Sequence, residues 1–319
     1  MKLLLAYDGS PCSEAALDDL SGAGLPGRGE AFVLTVAEVW LPPREAAEEV
    51  DPDVDPYIEE AVRKHREKGE KLLNEAEMMA THAAGRVRSV LPAWNVSSGA
   101  SFGSPAWEIL AKCEELHPDL IVVGSHGHTA LGRMVLGSIS QKVLSEAECS
   151  VRVARGRIEI DAGPARVAIG FDGSRGAQAA LQAVASRQWP EGTEVCLMSA
   201  MDSIVPTAIG RFIPPVAEWV HEEVASENAW ISTLMDKAAE TLTAKGLTVS
   251  KRLVPGNPKQ VLVREAQSWH ADCIFVGANA FGSRVERFLL GSTSAAIAAR
   301  AHCSVEIVRT RQPFSTNGN

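Results

Sequence analysis

The residues best suited to chemistry in this sequence are glycines and hydroxyls. Gly124, Gly127, Gly137 and Ser138 all fall within "VVGSHGHTALGRMVLGS", Val122 to Ser138. A glycine lets backbone N–H groups approach a ligand because no Cβ intervenes. Gly137-Ser138 directly precedes the apolar-periodic stretch "ISQKVLSEA" and so stands at a helix N-terminus. Free N–H donors, a hydroxyl and the positive end of the helix dipole favour an anion there. Ser140 brings a second hydroxyl into the first turn, and His126, His128 and Arg133 offer positive charge between the glycines. The plain alternative is a flexible turn with Ser138 as a helix cap and the histidines in solvent. A second loop, "YDGS" at Tyr7 to Ser10, carries Asp8. Ahead of a glycine, such a carboxylate commonly bonds its own backbone.

Both loops are written twice. "LLLAYDGS" at Leu3 answers "VAIGFDGS" at Val167, and "PDLIVVGS" at Pro118 answers "ADCIFVGA" at Ala271. "AECSVRVAR" at Ala147 answers "AHCSVEIVR" at Ala301, and "GSPAWEIL" at Gly103 answers "GNPKQVLV" at Gly256. The first pair is 164 residues apart, the second and fourth 153, and the third 154. The first copy therefore carries extra residues in its interior, and a single residue is inserted after Ala278 of the second. Four matches in one order mark a duplicated domain. The expected units are residues 1–155 and 165–311, followed by a disordered tail at 312–319.

The elements that must position these loops alternate. In the first copy, short apolar runs at residues 2–7 and 31–39 read as strands, separated by a helix over residues 12–20 that Ser10 or Ser13 can cap. A helix is expected over residues 56–82, starting at a proline. "VRSVLPAWNVSS" is then read as an edge or bent strand because a proline interrupts it. A helix follows Pro105, "DLIVVGS" is a strand buried on both faces, and "CSVRVAR" is the last strand. Strand–helix alternation with buried strands predicts a doubly wound α/β sheet, whose ligands sit at the carboxyl ends of the strands. The two last strands, "CSVRVAR" and "CSVEIVR", are expected side by side, making an intrachain pseudo-dimer; a further homodimer is left open.

Composition narrows the function classes. A length of 319 residues suits two domains of about 150 residues each. A net charge of −9 argues against a general nucleic-acid or anionic-membrane binder. No apolar run reaches the roughly 18 residues that would span a bilayer, and "MKLLLAYDGS" is too short for a secretory leader, so the expected location is cytoplasmic. Six cysteines show neither a CxxC pair nor metal-ligand spacing. They are expected to be scattered buried thiols, without zinc or redox chemistry. "DPDVDP" at Asp51 resembles the start of a calcium loop but has Pro56 at the sixth position and Val62 at the twelfth, so no metal residue is assigned.

The order "AYDGS", "GSHG", nine residues, "GS" resembles the universal stress protein family. Its nucleotide-binding members carry G-x-x-G, nine residues, then G-(S/T), a pattern that Gly124, Gly127, Gly137 and Ser138 match without a gap. The resemblance covers nearly the whole chain as two tandem copies. It implies two Rossmann-like domains, similar to the adenine-nucleotide α-hydrolases, each with a five-stranded parallel sheet. It further implies ATP or another adenine nucleotide as ligand, with Mg2+ at the phosphates. Carried over by position, Asp8 would contact the adenine or ribose end, Ala6 and Tyr7 would wall it, and Val36 would meet the base through its backbone. Val123, Gly124 and Gly127 would approach the ribose and phosphates, with His126 and Arg133 beside them. Gly137, Ser138, Ile139 and Ser140 would bind the phosphate chain.

The second copy keeps Asp172, Gly277, Gly291, Ser292 and Ser294, but Ala280 replaces the second glycine and ten residues then precede Gly291. Its site is expected to be weakened or altered. The resulting expectation is a nucleotide-dependent stress-response regulator with an unnamed protein partner, at most slow ATP hydrolysis and no catalytic residue. The alternative is an interaction module that binds no nucleotide. An enzyme of the α-hydrolase group is disfavoured, because "YDGSPCS" and "FDGSRGA" lack the S-G-G-x-D-S that such enzymes carry after the first strand.

Overall fold

The structure, a computed structural model, describes residues 1–39, 56–125, 136–155, 164–201, 214–278 and 290–310. The expected tail, together with His126, Gly127, Arg133 and Ala280, lies outside the described residues. The first copy runs β1 (Lys2–Ala6), α1 (Pro11–Asp19), β2 (Glu30–Ala37), α2 (Pro56–Val90), β3 (Asn95–Phe102), α3 (Pro105–Leu116), β4 (Leu120–Gly124), α4 (Ser138–Glu146) and β5 (Ser150–Ala154). The second repeats the order as β6 (Arg166–Gly170), α5 (Arg175–Ala185), β7 (Glu194–Met201), α6 (Pro214–Thr243), β8 (Thr248–Pro255), α7 (Pro258–Ser268), β9 (Cys273–Gly277), α8 (Ser292–Arg300) and β10 (Ser304–Val308).

The strands form one sheet in the order β3-β2-β1-β4-β5-β10-β9-β6-β7-β8. Pairing is parallel within each copy and antiparallel only where β5 meets β10, with Val153 opposite Val305 and Val151 opposite Ile307. The expected pairing of the last strands is therefore present. Leu3, Leu5 and Val122 bury one face of the first copy against Ala16 and Leu17 of α1 and Ala83 and Val87 of α2. Leu4, Ile121 and Val151 bury the other face against α3 and α4, in a core that continues unbroken into the second copy at Ile274 and Ile307.

One sequence expectation fails in extent. The helix over residues 56–82 continues to Val90, so "VRSV" is helical and the strand starts only at Asn95. Ala76, Ala80, Ala83, Ala84 and Val87 recur at helical spacing and are fully or almost fully buried. Burying that stripe overrides the β preference of the two valines. Pro92 lies in the turn that follows, not in the strand. The edge position itself is as expected, because β3 borders the sheet.

The face opposite the continuous core is split between the copies by a polar seam. Arg152 and Glu306 are register partners across β5 and β10, and both are about 1% exposed. Arg152 binds Asp19 of α1 through Nε and Nη2, Glu306 at 3.3 Å and the Cys273 sulfur at 3.1 Å. Arg187 completes Glu306, and the Ser304 hydroxyl donates to Asp19 at 2.7 Å. Burial alone would pull the Arg152 guanidinium down; Asp19, Cys273 and Glu306 hold it well above its ordinary value. Each copy also holds the far end of a helix of the other. Arg309 donates to the Leu144 carbonyl of α4 at 2.7 Å, and Arg155 donates to the Ala298 carbonyl of α8. A cation at a helix C-terminus is favourable.

Candidate functional site

Strand order places the two candidate loops side by side. β1 pairs with β2 on one side and β4 on the other, so the chain reverses its winding between β1 and β4. The loops carrying Asp8 and Ser125 leave the carboxyl ends of these two strands. That gap is where α/β sheets place ligands. In the second copy the corresponding gap lies between β6 and β9, beside Asp172 and Ala278.

The Asp8 loop is a tight turn that starts a helix. The Asp8 Oδ1 accepts from Ser10 N–H at 3.0 Å, and Gly9 takes φ +73°, a conformation that suits glycine. Ser10 then caps α1 by accepting from Ser13 N–H at 3.2 Å. Asp172, Gly173 and Ser174 repeat each feature, with Ser174 accepting from Ala177 N–H at 3.2 Å. The turn role of Asp8 is thus present, and its carboxylate stays half-buried at the strand end. The Tyr7 ring is buried with Leu3, Leu5 and Ala83 beneath α1 and α2. Its hydroxyl donates to Glu14, so the ring packs in the core beside the strand end. Burial first, then that hydrogen bond, pushes the phenol up to about 12. The smaller Ala6 and Val36 are half-buried on the opposite face.

The glycine that ends β4 has a structural task that sequence reading missed. A Cβ on Gly124 would stand 2.9 Å from the carbonyl carbon and oxygen of Cys12 in the first turn of α1. At Gly277 the corresponding contact is 2.3 Å, to the Gly176 carbonyl carbon of α5. The missing Cβ therefore admits a helix backbone, which brings the N-terminus of α1 against the end of β4. Val123 beside it is buried, so its side chain too serves the core.

The other flank is α4. Gly137 N–H donates to the Ser125 carbonyl at 2.8 Å, and the buried Ser140 hydroxyl donates to the Gly124 carbonyl at 2.6 Å. Ser140 is thereby a clamp between helix and strand as much as a ligand hydroxyl. Gly137 is the N-cap of α4, with no side-chain capping bond, and Ser138 at the first helical position is exposed. Ile139 next to it is half-buried. Two helix N-termini converge on the β4 end, and Ser10 caps that of α1. The first turn of α4 lacks such a cap, which suits an anion.

The second copy reproduces this frame. Gly291 N–H donates to the Ala278 carbonyl at 2.8 Å, and Ser294 hydroxyl to the Gly277 carbonyl at 2.6 Å. Gly291 is again an N-cap without a side-chain capping bond, and Ser292 is exposed. The sequence departure at Ala280 and the inserted residue fall between matching anchors. Among the described residues no cluster of three or more His, Cys, Asp or Glu could hold a metal ion, and no helix is long and apolar enough to cross a membrane.

Comparison with known proteins agrees with the duplication. The profile of the universal stress protein family matches residues 1–155 and again 165–309. Universal stress protein YxiE of Bacillus subtilis is 29% identical over 154 residues, covering 48% of this chain and 98% of its own. A universal stress protein of Thermus aquaticus is 33% identical over 153 residues, covering 48% of this chain and 97% of its own. A crystal structure of a universal stress protein from Archaeoglobus fulgidus aligns over 97% of this chain and 96% of that one, at 22% identity and a TM-score of 0.57. The chain belongs to the universal stress protein family, with two tandem copies in one polypeptide.

Proposed function

We propose that the first copy binds an adenine nucleotide, ATP with Mg2+, in the gap between β1 and β4, and that the protein acts as a nucleotide-dependent stress-response regulator. The observation that carries this reading is the first turn of α4, with Gly137 as N-cap, no side-chain cap and Ser138 exposed, held against the end of β4, the strand that pairs with the one leading into the Asp8 turn. Phosphates fit there: Ser138 and the N–H groups of Ile139 and Ser140 would hold them, and Asp8, Ala6 and the Val36 backbone would face the nucleoside end. His126, Gly127 and Arg133, outside the described residues, belong to the same cradle in this reading. Mg2+ would ride chiefly on the phosphates, neutralising their charge, as this ion does where a protein offers few ligands.

The protein's own groups bind and orient rather than react. Asp8 is tied into its turn, and the hydroxyl of Ser140 is spent on Gly124. Neither is placed to activate water, which supports slow hydrolysis at most; in this reading the protein acts through a protein partner, in the cytoplasm. The second copy retains the frame at Asp172, Gly277, Gly291, Ser292 and Ser294 and is the weaker site, through Ala280 and the inserted residue. The domain limits proposed for the two units are residues 1–155 and 165–311.

Ser138→Asp tests the site without threatening the fold. A carboxylate in the first turn of a helix is favourable, whereas beside a phosphate it repels. Nucleotide-free protein titrated with ATP and Mg2+ should lose roughly tenfold or more in affinity, equivalent to about 1.4 kcal/mol, while its melting temperature holds or rises. Unchanged affinity would place the phosphates elsewhere.

A further inference from the structure

We propose that Cys113 and Cys149 form an oxidation site, a dithiol that closes to an intramolecular disulfide under hydrogen peroxide. The two sulfurs lie 3.7 Å apart, Cys113 on α3 and Cys149 between α4 and β5. They are 36 residues apart in sequence, which is why spacing shows nothing. The bond needs the sulfurs to approach from there to about 2.05 Å.

A cation from the other copy attends this pair. The Arg309 Nη2 donates to the Leu144 carbonyl, while its Nε and Nη1 are buried without a hydrogen-bond partner among the described residues. Burial pulls that guanidinium below its ordinary value, and the Cys149 and Cys113 sulfurs act against the shift. A neighbouring guanidinium works against the burial that disfavours the thiolate, the form that reacts with peroxide. The second copy supplies a contrast inside the same molecule. Cys303 stands where the first copy has Cys149, with Arg155 beside it, but the position matching Cys113 is the buried Ala266. That copy has the cation and a single thiol, so it cannot close a disulfide of this kind.

The chemistry balances with peroxide as the oxidant. One sulfur attacks a peroxide oxygen, the O–O bond breaks, and a sulfenic acid and water form. The second sulfur attacks the sulfenic sulfur, the S–O bond breaks, and the S–S bond forms with release of a second water. Two thiols lose two electrons and two protons in total, and the peroxide becomes two waters. Cys113 is 6% and Cys149 3% exposed, so the reaction waits on local opening around α3 and runs more slowly than at surface thiols.

The full-length protein is treated with hydrogen peroxide, unfolded, alkylated without reductant and digested with trypsin. The expected product joins peptides 113–133 and 143–152, and dithiothreitol separates them. Cys113→Ala abolishes the product, and Arg309→Gln, checked for an unchanged melting temperature, slows it about tenfold, the factor for a one-unit rise in thiol pKa. Both peptides recovered singly, whether alkylated or oxidised to sulfinic acid, would overturn the proposal. An unchanged rate in Arg309→Gln would overturn the part given to the guanidinium.

Discussion

At the scale of single residues, several side chains in the candidate site serve the fold before any ligand. Tyr7 is the clearest. Its raised pKa means that the folded state holds the phenolic proton more tightly than the unfolded chain does. Stability from the protonated ring is therefore fully present below about pH 10 and is lost as pH rises from there towards about 12. The chain has two tyrosines, Tyr7 and the exposed Tyr57, so phenolate absorbance can be followed by difference. Tyr7→Phe should remove the later part of the absorbance change and flatten the alkaline fall in stability. An alkaline stability curve identical to the parent's would contradict the assigned environment. Asp8 was readable in the sequence as a turn former, because a carboxylate ahead of glycine commonly bonds its own backbone. The burial of the Tyr7 ring was not, because side-chain direction at a strand's last residue depends on the helices laid over it.

At the scale of elements, strands and short helices were legible because each carries its own signal. "LIVVG", Leu120 to Gly124, is apolar throughout and is buried on both faces; Ser10 and Ser174 cap the helices they precede. The extension of α2 was not legible, since Val87 and Val90 suit a strand until the sheet face that buries Val87 is known. Gly124 shows the same limit at the site. Its place at the end of β4 is plain from sequence, but whether its missing Cβ admits a ligand or the backbone of α1 is a tertiary fact. Gly124→Ala should destabilise the protein by about 1–3 kcal/mol, measured by urea unfolding, because Cys12 backbone must move. Gly277→Ala, with a closer contact, should cost more. Parent-like stability in both would mean that helix and strand do not meet as described. Between these anchors the candidate sites differ in residues 126–135 and 279–289, which lie outside the described residues, so sequence alone distinguishes them as sites.

At the scale of the whole molecule, the duplication has become a matched pair. At the centre of the β5–β10 junction Arg152 faces Glu306, where two identical copies would set like charges opposite each other. Arg152→Ala leaves Asp19 and Glu306 buried with less compensation and should cost about 3–5 kcal/mol in unfolding free energy. A loss below about 1 kcal/mol, typical of an exposed pair, would show that solvent reaches the seam. Arg155 and Arg309 hold the far ends of α8 and α4, so each copy steadies the helix whose N-terminus forms the other's candidate phosphate site. The most direct measurement is the nucleotide that the protein carries. The purified full-length chain is denatured, the released small molecules are identified, and stripped protein is titrated with ATP and Mg2+ to count sites. The expected result is an adenine nucleotide bound with a stoichiometry near a single molecule per chain, with further binding only at much higher concentration. No released nucleotide, together with no binding of added ATP and Mg2+, would contradict the proposed function and leave an interaction module without a ligand.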